Sequence, residues 1–367
     1  MRARQRPLPP GPAGPLLRVL SLALALPSAR PAPTSIEIAA GVMMPTVSNG
    51  YISGIYSKGK NATQTIAAFR TWIASGGRGI DTAYECKSSL PARRTHRPMV
   101  TGRPLSVTVC TASRDDSDRL IALAAADHNQ AEIAQAIHQS GVRREDLFIT
   151  TKIPCTGDSD SALAHVRADL QQLGLTQLDL VIIHGTGAVP PFAPGDPQYS
   201  KNCSSLAHIQ ATYAGLERAL EMNLSRAVGV SNFQVPHLSA VLKSAKHGPP
   251  SVNQMRQYVG YHTMDESWEY CRRHGITWMA YSPLGPIGHA KPVLVDKTVL
   301  QIAHAHNASA AQVAFAWLAQ SNASLTTASD NADYDVEDLD IGSVDLTADE
   351  MKLLTELHIR PPNRHAY

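Results

Sequence analysis

From residue 35 onward, short apolar runs of β type alternate with longer stretches whose apolar positions recur at helical spacing. The short runs lie at residues 79–82, 147–151, 178–183, 227–230, 251–253, 277–280 and 325–327. An earlier one lies near 50–54, behind a hairpin over 36–47. Amphipathic stretches between them predict helices over 63–74, 131–139, 161–173, 206–222 and 300–319. Eight strands alternating with helices give an α/β protein with a parallel sheet. Periodicity is satisfied equally by a doubly wound sheet and a closed barrel. No G-x-G-x-x-G follows the first strand, which weighs against the doubly wound dinucleotide fold.

The polar residues distinguish the two. Strand after strand ends in a functional group: Asp81, Lys152, His184, the Ser231–Asn232 pair, Gln254 and Tyr281. Any one of these reads as a cap or a solvated side chain. A succession of them, one per strand end, fits a parallel barrel, whose C-terminal strand ends converge on one mouth.

Composition narrows the function. The net charge of +2 hides an uneven distribution. Residues 1–33 hold five Arg and no acid, and residues 87–126 hold seven Lys/Arg against three Asp. The remaining body is acidic, which excludes a nucleic-acid footprint. Arg2, Arg4 and Arg6, followed by the apolar run 19–26 and Pro27-Ser28-Ala29, have the parts of a leader too short to span a bilayer. Secretion is the compartment expected, with an organelle transit peptide or a cytoplasmic protein as alternatives. Five N-x-S/T sequons, at Asn61, Asn202, Asn223, Asn307 and Asn322, lean towards secretion. Cys86, Cys110, Cys155, Cys203 and Cys271 have no metal-ligand spacing, so no metal is expected. Cys155 and Cys203 follow neighbouring strands and are either a disulfide or two free thiols; spacing alone leaves both open.

The segments GGRGIDTAYE (76–85), DLFITTKI (146–153), LDLVIIH (178–184), GVSNF (229–233), VNQ (252–254) and AYSPLG (280–285) resemble the aldo-keto reductases, in the right order from about residue 35 to 357. The resemblance implies a (β/α)8 TIM barrel over 34–360 with an N-terminal β-hairpin and an unstructured insertion after strand 2, behind a leader over 1–33. It implies a monomer that reduces a small carbonyl compound with NADP(H). In that chemistry a tyrosine phenol protonates the carbonyl oxygen as hydride arrives. A free phenol, with a pKa near about 10, is a poor donor at neutral pH. By resemblance Lys152 lowers that barrier, Asp81 holds Lys152, and His184 orients the carbonyl. The pair Asp81–Lys152 also reads as an ion pair without chemistry. Ser231, Asn232 and Gln254 are expected on the nicotinamide amide, Tyr281 on the ring, and Ser282, Leu284 and Ser329 on the remaining cofactor.

Two departures stand out. Where the family places a Lys and an Arg for the 2′-phosphate of NADP, this chain has Ala328 and Tyr334, with Asp330 and Asp333 nearby. That leaves NAD(H) open beside NADP(H). The second departure concerns the acid. The family's tyrosine stands five residues after the aspartate, where this chain has Cys86, whose thiol is too short for a phenol's reach. Tyr84 stands three residues after Asp81, in a position that varies in the family.

Residues 87–126 read as a translated, retained intron. They are basic and rich in Arg, Ser, Thr and Pro, they lack periodicity, and they replace a short loop. Cys86-Lys87 can be encoded TGT-AAG, which holds a splice donor. Ala126-Asp127 can be encoded GCA-GAC, which holds an acceptor. Excision joins T to AC and creates a tyrosine codon five places after Asp81, split between Cys86 and Asp127. The alternative is a genuine insertion forming a lid. Two other functions compete with the reductase. One is a nucleotide-binding scaffold subunit resembling the potassium-channel β subunits of this family. The other is a secreted, disulfide-bearing carbohydrate-binding barrel.

Overall fold

The computed structural model describes residues 34–50, 62–83, 129–187, 201–262, 265–285 and 291–359. The expected leader over 1–33, Tyr84, Cys86, Asp127 and the expected insertion over 87–126 lie outside them. An antiparallel hairpin, β1 (Ser35–Ala39) with β2 (Val42–Pro45), precedes the barrel. The barrel strands are β3 (Val47–Asn49), β4 (Gly79–Asp81), β5 (Phe148–Ile153), β6 (Leu178–Ile183), β7 (Ser225–Ser231), β8 (Val252–Arg256), β9 (Thr277–Tyr281) and β10 (Ala323–Thr327). They pair in parallel, each with the next, and β10 returns to β3 to close the ring. Closure settles the choice between the two architectures in favour of the (β/α)8 barrel.

Around it run α1 (Ala62–Ala74), α2 (Gln130–Ser140), α3 (Ser159–Leu173), α4 (Leu206–Glu221), α5 (Val235–Ser244), α6 (Asp265–Arg273), α7 (Lys297–Ala305), α8 (Ala310–Gln320), α9 (Ala332–Leu339) and α10 (Ala348–Glu356). Their ends follow local chemistry. Asp158 caps α3 by accepting from Ser161 N, and Gly174 ends it in the left-handed region, φ 66°. Thr347 and Glu350 form a capping box on α10.

The period-2 alternation of strands divides the core in two. In β6, Leu180 and Ile182 face inward, while Val181 and Ile183 face the helices. The inward set also takes Phe148, Ala227, Val252 and Met279, and the hairpin's Ile36, Ile38, Val42 and Met44 pack against it. The hairpin therefore plugs the N-terminal end of the barrel. Arg226 ties it down through a bond to Gly41 O at 3.2 Å.

Two expectations are corrected. The first barrel strand is Val47–Asn49, ahead of the expected 50–54, of which residues 51–54 lie outside the described residues. Its pattern is masked because Ser48 and Asn49 are polar yet buried, held by pairing with β10 and β4. The stretch 300–319 is two helices, not one. Asn307 adopts φ 51° and Ser309 starts α8 with a capping box to Gln312, so the apolar periodicity runs through a sharp turn.

Candidate active site

The same alternation that builds the core places the functional groups. Phe148, Thr150 and Lys152 share the inward face of β5, so Lys152 is the inward residue at its mouth end. Gly79 and Asp81 share that face on β4, Val252 and Gln254 on β8, and Met279 and Tyr281 on β9. On β4, β5, β8 and β9 the inward residue at the mouth is polar, whereas β6 ends its inward face on Ile182 and carries His184 just past the strand. A register slip of one residue would turn all of them to the helices.

Lys152 Nζ donates to Asp81 Oδ1 at 2.7 Å and to Thr82 O at 3.1 Å. Both side chains are about nineteen-twentieths buried, 6% and 4% exposed. Gln254 Nε2 donates to the second carboxylate oxygen, Asp81 Oδ2, at 3.1 Å. The Gln254 carbonyl accepts from Ser231 Oγ at 2.9 Å and from Asn232 N at 2.9 Å. Asn232 Nδ2 donates to His184 O at 2.9 Å, and Tyr281 Oη donates to Asn232 Oδ1 at 3.0 Å. One hydrogen-bonded strip thus runs from Lys152 through Asp81, Gln254 and Asn232 to Tyr281. His184 is half-buried, and its backbone N–H donates to Ile153 O at 2.8 Å.

Two residues reach their places through the left-handed region: Asn232 at φ 61° and Ser282 at φ 55°. Asparagine tolerates this conformation well, and a serine held there signals a constrained turn. Ser282 Oγ is buried without a hydrogen-bond partner among the described residues. Gly50 also borders the mouth; a Cβ there would meet Thr326 Oγ1 at 2.6 Å and Asp81 Oδ2 at 3.3 Å. Burial pushes the Tyr281 phenol above its usual range, and Arg256, 5.8 Å from the ring centre, opposes this. A half-buried phenol already donating to Asn232 is suited to hold position and not to release a proton.

Leu284 packs half-buried against the main core. Ser329 is buried two residues past β10, and its hydroxyl accepts from Asn331 N at 3.1 Å at the start of α9. Ala328 and Tyr334 are both exposed there, beside Asp330 and Asp333. The segment 326–339 contains no lysine or arginine.

The structure also brings together what the sequence separates. Thr82 Oγ1 donates to Asn129 Oδ1 at 2.5 Å, so the chain leaves the barrel after β4 and returns for α2 at adjacent points. Sequence reasoning missed this contact, for which a Thr and an Asn 47 residues apart give no signal. Cys155 and Cys203 form a disulfide with Cα atoms 5.6 Å apart, which resolves the alternative left open by their spacing. Among the described residues no group of His, Cys, Asp and Glu has the arrangement of a metal site, and no helix is long and apolar enough to cross a membrane.

Residues 119–359 match the Aldo/keto reductase family. NADPH-dependent codeinone reductase 1-5 of Papaver somniferum is 33% identical over 232 residues, which cover 61% of this chain and 71% of that protein. Glyoxal reductase of Bacillus subtilis (strain 168) is 34% identical over 242 residues, 65% of this chain and 79% of that protein. The crystal structure of an aldo/keto reductase from Brucella melitensis superimposes with a TM-score of 0.65 at 22% identity, covering 89% of this chain and 99% of that one, a likeness of fold. With two thirds of its length matched and relatives at a third identity, the chain belongs to the aldo/keto reductase family of oxidoreductases.

Proposed function

We propose that this barrel reduces an aldehyde or ketone to the alcohol with NADPH, and that Asp81, Lys152 and His184 do its polar work. The observation that carries the reading is the buried Lys152–Asp81 pair at the barrel mouth. Removing two charges from water costs several kcal/mol per ion, so such a pair is poor evidence for stability. It is well suited to a site that must hold a cation beside a reacting group.

The residues present fit a nicotinamide nucleotide. Asn232 and Gln254 carry amides at the mouth, the Ser282 hydroxyl lacks a partner among the described residues, and Gly50 leaves the backbone bare. Ser231, Asn232 and Gln254 would hold the nicotinamide amide and Tyr281 would lie against its ring. Ser282, Leu284 and Ser329 would hold the rest. When bound, the nucleotide supplies the hydride that reaches the carbonyl carbon.

The protein's own groups then manage the oxygen and its proton. Two of the three Lys152 N–H groups are used by Asp81 and Thr82 among the described residues, which leaves one for a neighbouring phenol. A cation there favours phenolate and eases proton release. Asp81, held at its second oxygen by Gln254, keeps Lys152 from turning to solvent. His184 follows β6 at the mouth, where it would orient the carbonyl and stabilise developing negative charge.

A second reading is a nicotinamide-nucleotide-binding barrel without turnover, which the Cys at the acid position favours. Titration of NADPH and NADH against intrinsic fluorescence, followed by assay on a panel of aldehydes, separates the two. Binding with turnover that Lys152→Met abolishes supports the reductase. Binding without turnover in a chain carrying the restored tyrosine selects the scaffold.

A further inference from the structure

The five Asn-X-Ser/Thr sequons do not have equal standing once the fold is in place. Asn61 lies outside the described residues. Asn223, Asn307 and Asn322 end α4, α7 and α8 with φ of 57°, 51° and 60°. Each closes its helix with a backbone N–H bond: Asn223 to Leu220 O, Asn307 to His304 O and Asn322 to Ala319 O. After glycine, asparagine is the residue best suited to that conformation. Two of their hydroxyl partners are used by the fold and the third is buried. Ser225 is buried and donates to Ala227 O at 2.7 Å, Ser309 caps α8, and Ser324 lies buried in β10. Helix termination accounts for all three.

Asn202-Cys203-Ser204 has no such account. Asn202 is not among the residues of positive φ, and it is exposed in the loop entering α4. Ser204 is exposed as well, and the cap of α4 is its neighbour Ser205, which accepts from His208 N at 3.2 Å. Ser204 contributes its backbone N–H to His208 Nδ1 at 3.1 Å, which leaves its hydroxyl outside the capping scheme. The fold also accommodates this turn: the Asn202 carbonyl lies against Gly157, where any Cβ would collide with it.

The second observation is the residue inside the sequon. Cys203 is fully buried and bonded to Cys155. Disulfides form and persist in oxidising compartments such as the lumen of the secretory pathway. Asparagine-linked oligosaccharides are features of secreted proteins, on exposed loops. Two adjacent residues thus carry the chemistry of one compartment.

We propose that Asn202 is an N-glycosylation site and that the chain acquires its oligosaccharide and its 155–203 disulfide in the same compartment. In the transfer, the Asn202 carboxamide nitrogen bonds to the anomeric carbon of a lipid diphosphate-linked oligosaccharide. The carbon–oxygen bond to the diphosphate breaks, the diphosphate leaves with the electron pair, and the carboxamide gives up one proton. No group is oxidised or reduced. Because Cys203 occupies the middle position, transfer precedes closure of the disulfide, while that stretch of chain is still extended.

The test expresses the full chain, residues 1–33 included, in cultured animal cells. Peptides are then mapped after amidase release of glycans in heavy-oxygen water, which converts each formerly glycosylated asparagine to a labelled aspartate. The expected result is label at Asn202, loss of a glycan-sized mobility shift in both Asn202→Gln and Ser204→Ala, and thermal melting of both variants close to that of the unglycosylated parent. Label at Asn223, Asn307 or Asn322 with none at Asn202 would overturn the assignment. So would an unlabelled chain recovered from the cytosol with Cys155 and Cys203 reactive to thiol reagents after unfolding.

Discussion

Gln254 Nε2 lies 3.1 Å from Asp81 Oδ2, so the residue expected on the nicotinamide amide also braces the carboxylate that holds Lys152. The proposed cofactor contact and the ion-pair geometry thereby meet in one side chain. Gln254→Leu removes a hydrogen bond to a charged group, worth roughly 1.5–3 kcal/mol. It is expected to weaken NADPH binding by tenfold or more and to lower the melting temperature. Gln254→Glu sets a second carboxylate against Asp81 and is expected to melt lower than the parent at neutral pH. Fluorescence titration and thermal melts of both variants check this; a Gln254→Glu protein that melts like the parent sinks the bracing role.

The Thr82–Asn129 contact bears on the insertion. Since the flanks of residues 84–128 already meet, a short loop suffices to join them. A chain lacking the insertion, with tyrosine at the junction of Cys86 and Asp127, is expected to fold and to reduce aldehydes. The chain as written is expected to be slower by about 10²–10⁴-fold, the usual contribution of one general acid. Parallel assays of the two forms decide the matter, and transcripts sequenced across the junction give an independent answer. Equal activity of the two would rule out a retained intron.

Cofactor preference is expected to be weak, because Ala328 and Tyr334 supply no charge for a 2′-phosphate and the segment 326–339 holds no cation. Both positions are exposed, so Ala328→Lys and Tyr334→Arg are expected to be tolerated and to restore a preference for NADPH. Dissociation constants for NADPH and NADH, measured before and after the double change, provide the check. A parent that already binds NADPH far more tightly contradicts the reading.

Asp169 of α3 is buried against β5, where its Oδ2 accepts from Thr151 Oγ1 at 2.8 Å. Burial raises its carboxyl to about 8, and the Thr151 bond opposes this only in part. In the unfolded chain the same group ionises near the ordinary value of about 4. The folded state therefore binds the extra proton between these values, and this residue's contribution to stability falls as pH rises from about 4 to about 8. Asp169→Asn, which cannot ionise, is expected to flatten that slope and to melt higher than the parent at pH 9. Melting curves from pH 5 to pH 9 would show the opposite ordering if the carboxyl were ionised in the fold.

His262 joins the loop after β8 to the chain leaving α10. Its Nδ1 lies 2.8 Å from Asp265 Oδ2 and its Nε2 2.9 Å from Leu357 O. Both partners are acceptors, so both bonds are made only by the imidazolium. The Leu357 carbonyl first, then Asp265, raises its pKa. The stability it contributes is full below the unfolded value of about 6.5 and is lost as pH rises through the higher folded value. Hydrogen exchange at Ile359, whose N–H donates to Gly260 O at 3.2 Å, is expected to speed up across that range. The variant His262→Gln should show no such pH step; a step that persists points to another group.

The sequence by itself determined the βα rhythm, seven of the eight barrel strands to within a few residues, and the polar group ending six of them. These are local properties: period-2 alternation and strand length are written in consecutive residues, and Lys152 or Gln254 stands out against apolar neighbours. The first strand escaped because Ser48 and Asn49 look like loop residues, and only their pairing with β10 and β4 buries them. Tertiary structure alone decided closure, because the β10–β3 pairing joins chain ends nearly 300 residues apart and leaves no trace in periodicity. It likewise decided the Cys155–Cys203 bond, the Thr82–Asn129 contact and the bracing of Asp81 by Gln254. Each depends on a distance between residues on separate elements, which meet only when the closed barrel brings those elements together.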